Sequence, residues 1–136
     1  MSNMSDYLEG QLRAHIFRTA TYTKPTVLWV SLFTVTPSDS GGGTEVTGGT
    51  YGRVNVPPLD ANWTAVSAMD GNTDNTSVIT FPTPSANWGT VVAFGIHDAS
   101  TAGNLLIWGP ITPNKTINNG DPAPSFAAGA LDVTFA

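Results

Sequence analysis

Apolar positions along this chain come in short runs, cut at close intervals by Gly, Pro, Asn and Asp. The dominant stretch is GTVVAFGIHDASTAGNLLIWG, Gly89 to Gly109. Its two apolar runs, Thr90–Ile96 and Leu105–Trp108, flank a polar connection from His97 to Asn104, which predicts a β-hairpin. Most positions in both runs are apolar, so the hairpin is expected to be covered on both faces and to lie at the centre of a sandwich. Thr26–Thr36, TVLWVSLFTVT, predicts a second core strand, with Val27, Trp29 and Phe33 on one face and Leu28, Val30 and Leu32 on the other. It ends at the turn set Pro37-Ser38-Asp39-Ser40. Tyr51–Val56 alternates in strand fashion up to Pro57-Pro58, and Val78–Phe81 is closed by Pro82 and Pro84. Further short runs lie at Thr112–Ile117, around Phe126 and at Leu131–Phe135, with turns read at Asp70–Ser77 and Asn118–Asp121. Leu59–Met69 is ambiguous, because Trp63, Val66 and Met69 have helical spacing over too short a span. About eight short strands with turn signals every 8–12 residues predict an all-β, antiparallel β-sandwich.

One segment breaks this pattern. Ser5–Thr19, SDYLEGQLRAHIFRT, carries Leu8, Leu12 and Ile16 at a spacing of four and predicts a single amphipathic α-helix. Asp6 with Glu9 has the form of a capping box, and Arg13 and Arg18 sit late, where cations suit the helix dipole. Gly10 weakens it by about 1 kcal/mol relative to Ala. A helix this short is marginal alone in water, so it must dock on its own sandwich or on a neighbouring subunit. The expected organisation is one domain over residues 1–136, with a helical arm at 5–19 and the sandwich at 26–136.

Composition narrows the function classes. Charged residues are 11% of the 136, against about a quarter in ordinary domains. Net charge is −5, and the five basic residues, Arg13, Arg18, Lys24, Arg53 and Lys115, do not form the cationic surface that a nucleic-acid partner needs. The absence of Cys removes disulfides, thiolate metal sites and Cys nucleophiles. No basic segment leads into an apolar one at the start, and no run approaches a membrane span, so synthesis in a cytosol and no membrane partner are expected.

Candidate chemistry is sparse. Gly41, Gly42 and Gly43 suggest a phosphate cradle, but no Gly-Lys-Ser/Thr and helix follow, and a flexible surface loop from Gly41 to Gly49 is expected instead. His97, Asp98 and Ser100 are the residue types of a hydrolytic triad, too close in sequence to form its hydrogen-bond chain and without a nucleophile elbow. Asp70, Asn72 and Asp74 have the spacing of half a calcium loop, yet Asn75 stands where its Gly belongs and Phe81 where its acid belongs. His15 and His97 form no zinc pair. The chain is therefore read as a non-enzyme without cofactor or metal. Of four Trp, Trp29 and Trp108 lie on core strands, whereas Trp63 and Trp88 adjoin Pro- and Asn-rich connections, where they could stack on sugars or anchor an interface.

The chain resembles small virion proteins of tailed bacteriophages, often labelled structural or tail-fibre proteins. The resemblance is carried by YLEGQLRAHIFR, TATYTKPTVLWVSLFT, GGGTEVTGGTYGR, ITFPTPSANWGTVVAFGIHDASTAGNLLIWG, KTINNGD and FAAGALDVT, in that order, and is weakest from Pro57 to Asp74. Within that group the chain looks most like the capsid cement (decoration) proteins of short-tailed phages, of the Bordetella-phage type. That likeness implies a jelly-roll-like sandwich, a homodimer or homotrimer, synthesis in the bacterial host cytoplasm, and a place on the outer capsid surface bound to the major capsid protein. The contact residues expected from the chain itself are Leu8, Leu12 and Ile16 of the arm, Gly41, Gly42 and Gly43 of the loop, and Trp63 and Trp88. The alternative is a tail or fibre component that binds a receptor or glycan.

Overall fold

A computed structural model of the chain describes residues 2–65 and 70–135. The molecule is mostly β, with antiparallel sheets and a single short N-terminal helix. The ten strands are β1 (Asn3–Met4), β2 (Trp29–Val35), β3 (Thr44–Glu45), β4 (Val54–Asn55), β5 (Asn72–Asp74), β6 (Ile79–Thr80), β7 (Gly89–His97), β8 (Leu105–Ile117), β9 (Ser125–Phe126) and β10 (Asp132–Thr134). A six-stranded sheet runs β1-β8-β7-β2-β3, with β4 also pairing β2. Two small ribbons, β10-β5 and β6-β9, supply the facing layer.

The predicted hairpin is β7–β8 and lies in the middle of the main sheet, as its two-sided apolar pattern requires. Cross-strand partners share a face, so Val30 with Ile96, Leu32 with Phe94, and Ile96 with Ile107 form one continuous apolar surface. Ile79, Phe81, Leu131 and Val133 from the facing layer and its flanking segments complete the same core. Phe126 joins the layers with its ring edge-on to Phe94 and Phe81, centroids 6.3 Å apart in both pairs.

Several expectations are corrected. Thr112–Ile117 is the second half of β8 rather than a separate run, because the strand passes its prolines through an irregularity. Val91 pairs Lys115 while Ala93 pairs Pro110, so four residues of β8 face one of β7. Pro113 lies inside this irregularity, where a bulge asks no ladder hydrogen bond of it, and Pro110 stands at its edge. The segment read as a turn at Asp70–Ser77 contains β5, paired to β10. Gly41–Gly49 is built rather than flexible. It contains β3, it buries Val46, and Gly41, Gly42 and Gly43 all have positive φ. Of the ambiguous segment, Val66 and Met69 lie outside the described residues, and Trp63 makes an isolated bridge to Asn75.

The helix, α1 (Asp6–Phe17), begins one residue earlier than the expected capping box would start it. Ser5 is the N-cap, its Oγ accepting the Leu8 N–H at 3.2 Å, and the same hydroxyl donates to the Leu105 carbonyl of β8. The Ser5 N–H donates to the Leu106 carbonyl at 2.9 Å and the Asp6 N–H to the Asp39 carbonyl at 2.8 Å. The helix start is thus sewn to the sheet, and Leu8 is a core residue.

Candidate functional site

Among the described residues the two larger concavities are one polar and one apolar. The polar cleft, of about 480 Å³, lies over the face of the main sheet that carries Phe33 and His97, near the start of α1 and the Gly41–Gly43 segment. Its framework is a set of interlocked polar groups. Arg53 donates from Nε and Nη2 to the two carboxylate oxygens of Glu45, at 2.9 and 2.8 Å, and from Nη1 to the Ala99 and Ala102 carbonyls at 2.8 and 2.9 Å. Tyr51 donates its hydroxyl to Glu45 at 2.9 Å and accepts the Leu32 N–H at 3.0 Å. Burial pushes the Glu45 carboxyl up, but the Arg53 guanidinium and the Tyr51 hydroxyl outweigh it and hold the group below its usual range. Burial raises the Tyr51 hydroxyl, with Glu45 adding to the effect. Every Arg53 nitrogen is thereby engaged inside the chain, so the cleft presents no free guanidinium to a ligand.

His97 forms part of this floor. Sequence places it in the polar connection, whereas it is the last residue of β7 and only 6% exposed. Its ring stacks on Phe33 at 6.2 Å, and Nε2 lies 3.0 Å from Ser31 Oγ. Because the Ser31 hydroxyl donates to the Gly95 carbonyl at 3.2 Å, Nε2 carries the ring proton, which leaves Nδ1 a buried acceptor without a partner. Burial, helped by the Arg53 charge, pushes the His97 pKa down to about 4. Asp98 faces elsewhere, accepting the Asn104 N–H at 2.7 Å and the Asn104 side-chain amide at 2.8 Å. His97 and Asp98 are thus directed apart and form no triad with Ser100. In the half calcium loop, Asp70 accepts the Asn72 N–H at 3.0 Å and Asp74 the Thr64 hydroxyl at 2.7 Å. Both are hydrogen-bond anchors of the β5 ribbon.

The apolar groove, of about 730 Å³, opens between α1 and the segment before β5; its walls include Leu12, Tyr22, Leu28, Leu59, Trp63 and Phe135. Here the expected contact residues separate. Leu8 is 6% exposed and buried against the chain's own sheet, Leu12 packs half-buried against the core, and Ile16 is 67% exposed. The arm therefore docks at its start and projects at its end, where Phe17 is 79% exposed. Trp63 is half-buried in the groove wall, its indole N–H donating to the Pro57 carbonyl at 3.2 Å. Trp88 is not a surface residue. It is 4% exposed and meets Tyr51 edge-on at 5.3 Å, so it cannot serve as a platform or contact. Gly41, Gly42 and Gly43 line the polar cleft, not the groove.

Sequence reasoning missed Asn75, which holds the facing layer together. Buried to 1% exposure, it accepts the Leu131 N–H at 2.9 Å and donates to the Ser77 and Ala127 carbonyls at 2.7 and 2.9 Å. An Asn in a run of turn residues carries no local signal of this role. Phe17 was passed over because it lies off the Leu8–Leu12–Ile16 stripe.

The sequence model of a protein family described as podophage GP4 fiber I protein gp80 matches residues 3–134. The chain belongs to that family. No curated protein sequence matches the chain. Membership of the gp80 family makes it a structural virion protein of a short-tailed phage, and the matched span takes in the helix, all ten strands, the polar cleft and all of the groove lining except Phe135.

Proposed function

We propose that the chain is a non-enzymatic subunit of a virion fibre, attached through apolar surface at α1 and the adjoining groove. The observation that carries this reading is the fibre-family match over residues 3–134, together with a helix whose start is fixed to the sheet and whose end projects. The polar groups that could suggest chemistry are engaged in holding the chain together: Arg53 ties β3 to the β7–β8 connection, and His97 ties β7 to β2. A packed sandwich with a projecting apolar end supplies what an attachment subunit needs: a rigid body and water-excluding contact area.

The second reading is decoration of the outer capsid surface, with the major capsid protein as partner. Its support is the resemblance of the helix, Gly-rich and hairpin segments to cement proteins, and the projecting helix end serves it equally well. In that role, burial of apolar surface across capsid subunits would raise the free energy needed to separate them. A receptor- or glycan-binding role for the fibre subunit is left with Trp63 alone of the two tryptophans first considered for it, because Trp88 is buried.

Quantitative peptide mass spectrometry of purified virions against the major capsid protein tests both. A handful to a few dozen copies per particle is the expected result and fits a fibre. A ratio near one chain per capsid chain would move the protein to the lattice. Absence from the particle would end both readings.

A further inference from the structure

We infer that Asn119 is a latent modification site: the fold holds off its conversion to aspartate or isoaspartate, and releases it when the turn that carries it parts from the segment before β7. The chemistry is the chain's own and does not depend on where in the virion the protein sits.

The reactive unit is one dipeptide. Asn119-Gly120 is the single Asn-Gly pair in the sequence; each other asparagine is followed by a residue with a side chain. Conversion begins when the Gly120 amide nitrogen gives up its proton and attacks Asn119 Cγ. A Cγ–N bond forms, the Cγ–Nδ2 bond breaks, and ammonia leaves with the proton, so that a succinimide ring remains. Water then opens the ring at either carbonyl. One opening yields aspartate; the other reroutes the main chain through Cβ and Cγ and yields isoaspartate. Gly at the attacking position leaves ring closure unhindered, because no Cβ stands beside the nitrogen. Asn119 and Gly120 are both exposed, and among the described residues no hydrogen bond holds the Asn119 side-chain amide.

The turn itself supplies the restraint. The Asp121 N–H donates to the Asn118 carbonyl at 3.1 Å, and of the two central residues only Gly120 has positive φ, 84°, the pattern of a type II turn. Glycine is therefore demanded here by backbone geometry, and the labile pair comes with it. The turn is also clasped from outside. The Gly120 N–H donates to the Pro84 carbonyl at 3.0 Å, and the Asn119 N–H to the Asn87 side-chain oxygen at 2.9 Å. The Asn118 N–H donates to Asp121 Oδ2 at 2.7 Å. The nitrogen that must lose its proton is thus committed to a carbonyl acceptor, and the backbone on either side of it is fixed. Ring closure needs this clasp open, as does exchange of the same Gly120 proton with solvent.

Opening is local. The turn joins β8 to β9, and the clasping segment runs into β7, where the Trp88 N–H donates to the Ile117 carbonyl at 2.9 Å. On its far side the turn leads into the β6–β9 ribbon of two paired residues, so it parts without unfolding the main sheet. Conversion is irreversible. Either product sets a new carboxylate beside that of Asp121, and isoaspartate also lengthens the main chain by a methylene at the clasp. The Gly120 N–H and the Pro84 carbonyl then no longer meet in register, and a turn that has reacted to isoaspartate does not reclose.

The test follows the full chain at neutral pH by peptide mass mapping, which distinguishes asparagine, aspartate and isoaspartate at this position, in parallel with hydrogen exchange at the Gly120 amide. The two hydrogen bonds of the clasp are worth on the order of tenfold or more in the closed-to-open ratio. Conversion in the folded chain is therefore expected to be about tenfold or more slower than in the guanidinium-unfolded chain, with Gly120 exchange slowed in the same proportion. Asn87→Ala, at an exposed position, removes the acceptor of the Asn119 N–H. It is expected to keep the native thermal transition and the unfolded-state rate, and to speed folded-state conversion and Gly120 exchange together by about threefold or more. Asp121→Ala, which frees the Asn118 N–H, is expected to act in the same sense and supplies an independent reading if Asn87→Ala fails to fold. Asn119→Gln is expected to remove the conversion, and the isoaspartate form isolated from aged protein to lose its Gly120 protection. Conversion as fast in the folded as in the unfolded chain, conversion that does not follow Gly120 exchange when the clasp is loosened, conversion that survives Asn119→Gln, or an isoaspartate form with wild-type Gly120 protection would each overturn the inference.

Discussion

At the scale of single residues, His97 sets the pH response. Its ring is buried against Phe33 and Ser31, and burial with the nearby Arg53 charge disfavours the imidazolium, against the opposing pull of Glu45 and Asp98. The unfolded chain takes up this proton near pH 6.5, whereas the folded chain resists it until about pH 4. The associated stability is complete above pH 6.5, falls as pH drops toward 4, and changes no further below. The loss is about 3 kcal/mol. Urea midpoints of the wild type should show that fall, and His97→Gln should flatten it; an unchanged slope in the variant would remove His97 as its source. Glu45, whose pKa is held below the usual range, adds a loss at lower pH as its carboxylate is neutralised and the Arg53 pair breaks. None of this was legible in the sequence, where His97 stands next to Asp98 at the edge of a polar connection. Its burial is set by Ser31 and Phe33, more than sixty positions away.

At the scale of elements, the Gly-rich segment shows how local composition and packing divide the work. Gly42 and Gly43 have similar positive φ, 77° and 73°, so a side chain at either is strained by about 1 kcal/mol. Only Gly43 is also crowded: a Cβ there would stand 2.6 Å from the Val35 carbonyl oxygen and 2.8 Å from the Pro37 nitrogen, whereas at Gly42 it would meet nothing. Gly43→Ala should therefore cost clearly more than Gly42→Ala, which should stay near that ~1 kcal/mol. Equal losses in chemical denaturation would show that the close approach does not matter. Three consecutive glycines read as a flexible surface loop; the close approach of Gly43 to β2 could not be read, since it depends on β3 folding back to pair Glu45 with Phe33. The helix behaved likewise. Its stripe and its polar start were visible, but the cap fell to Ser5 because that hydroxyl also reaches β8.

At the scale of the whole molecule, the sheet is stratified. β7 is paired on both sides, by β2 and β8, and Val30, Phe94 and Ile96 are buried, whereas β5–β10 and β6–β9 are ribbons of three and two paired residues. Amide hydrogen exchange should place Val30, Phe94 and Ile96 in the slowest class, exchanging only on global unfolding, with the ribbons opening first. Ribbon amides as protected as β7 would show one cooperative unit with no such order. The sequence by itself determined the all-β class, the N-terminal helix, the central hairpin and most strand positions, because alternation, apolar runs and turn residues act over a few neighbours. Tertiary structure alone decided that β8 runs on through its prolines, that Asn75 is a buried clamp while Asp70 and Asp74 are ribbon anchors, and that Trp88 is core while Phe17 projects. Those outcomes depend on which distant segment covers a given side chain, and coverage is a property of the packed chain that no local pattern encodes.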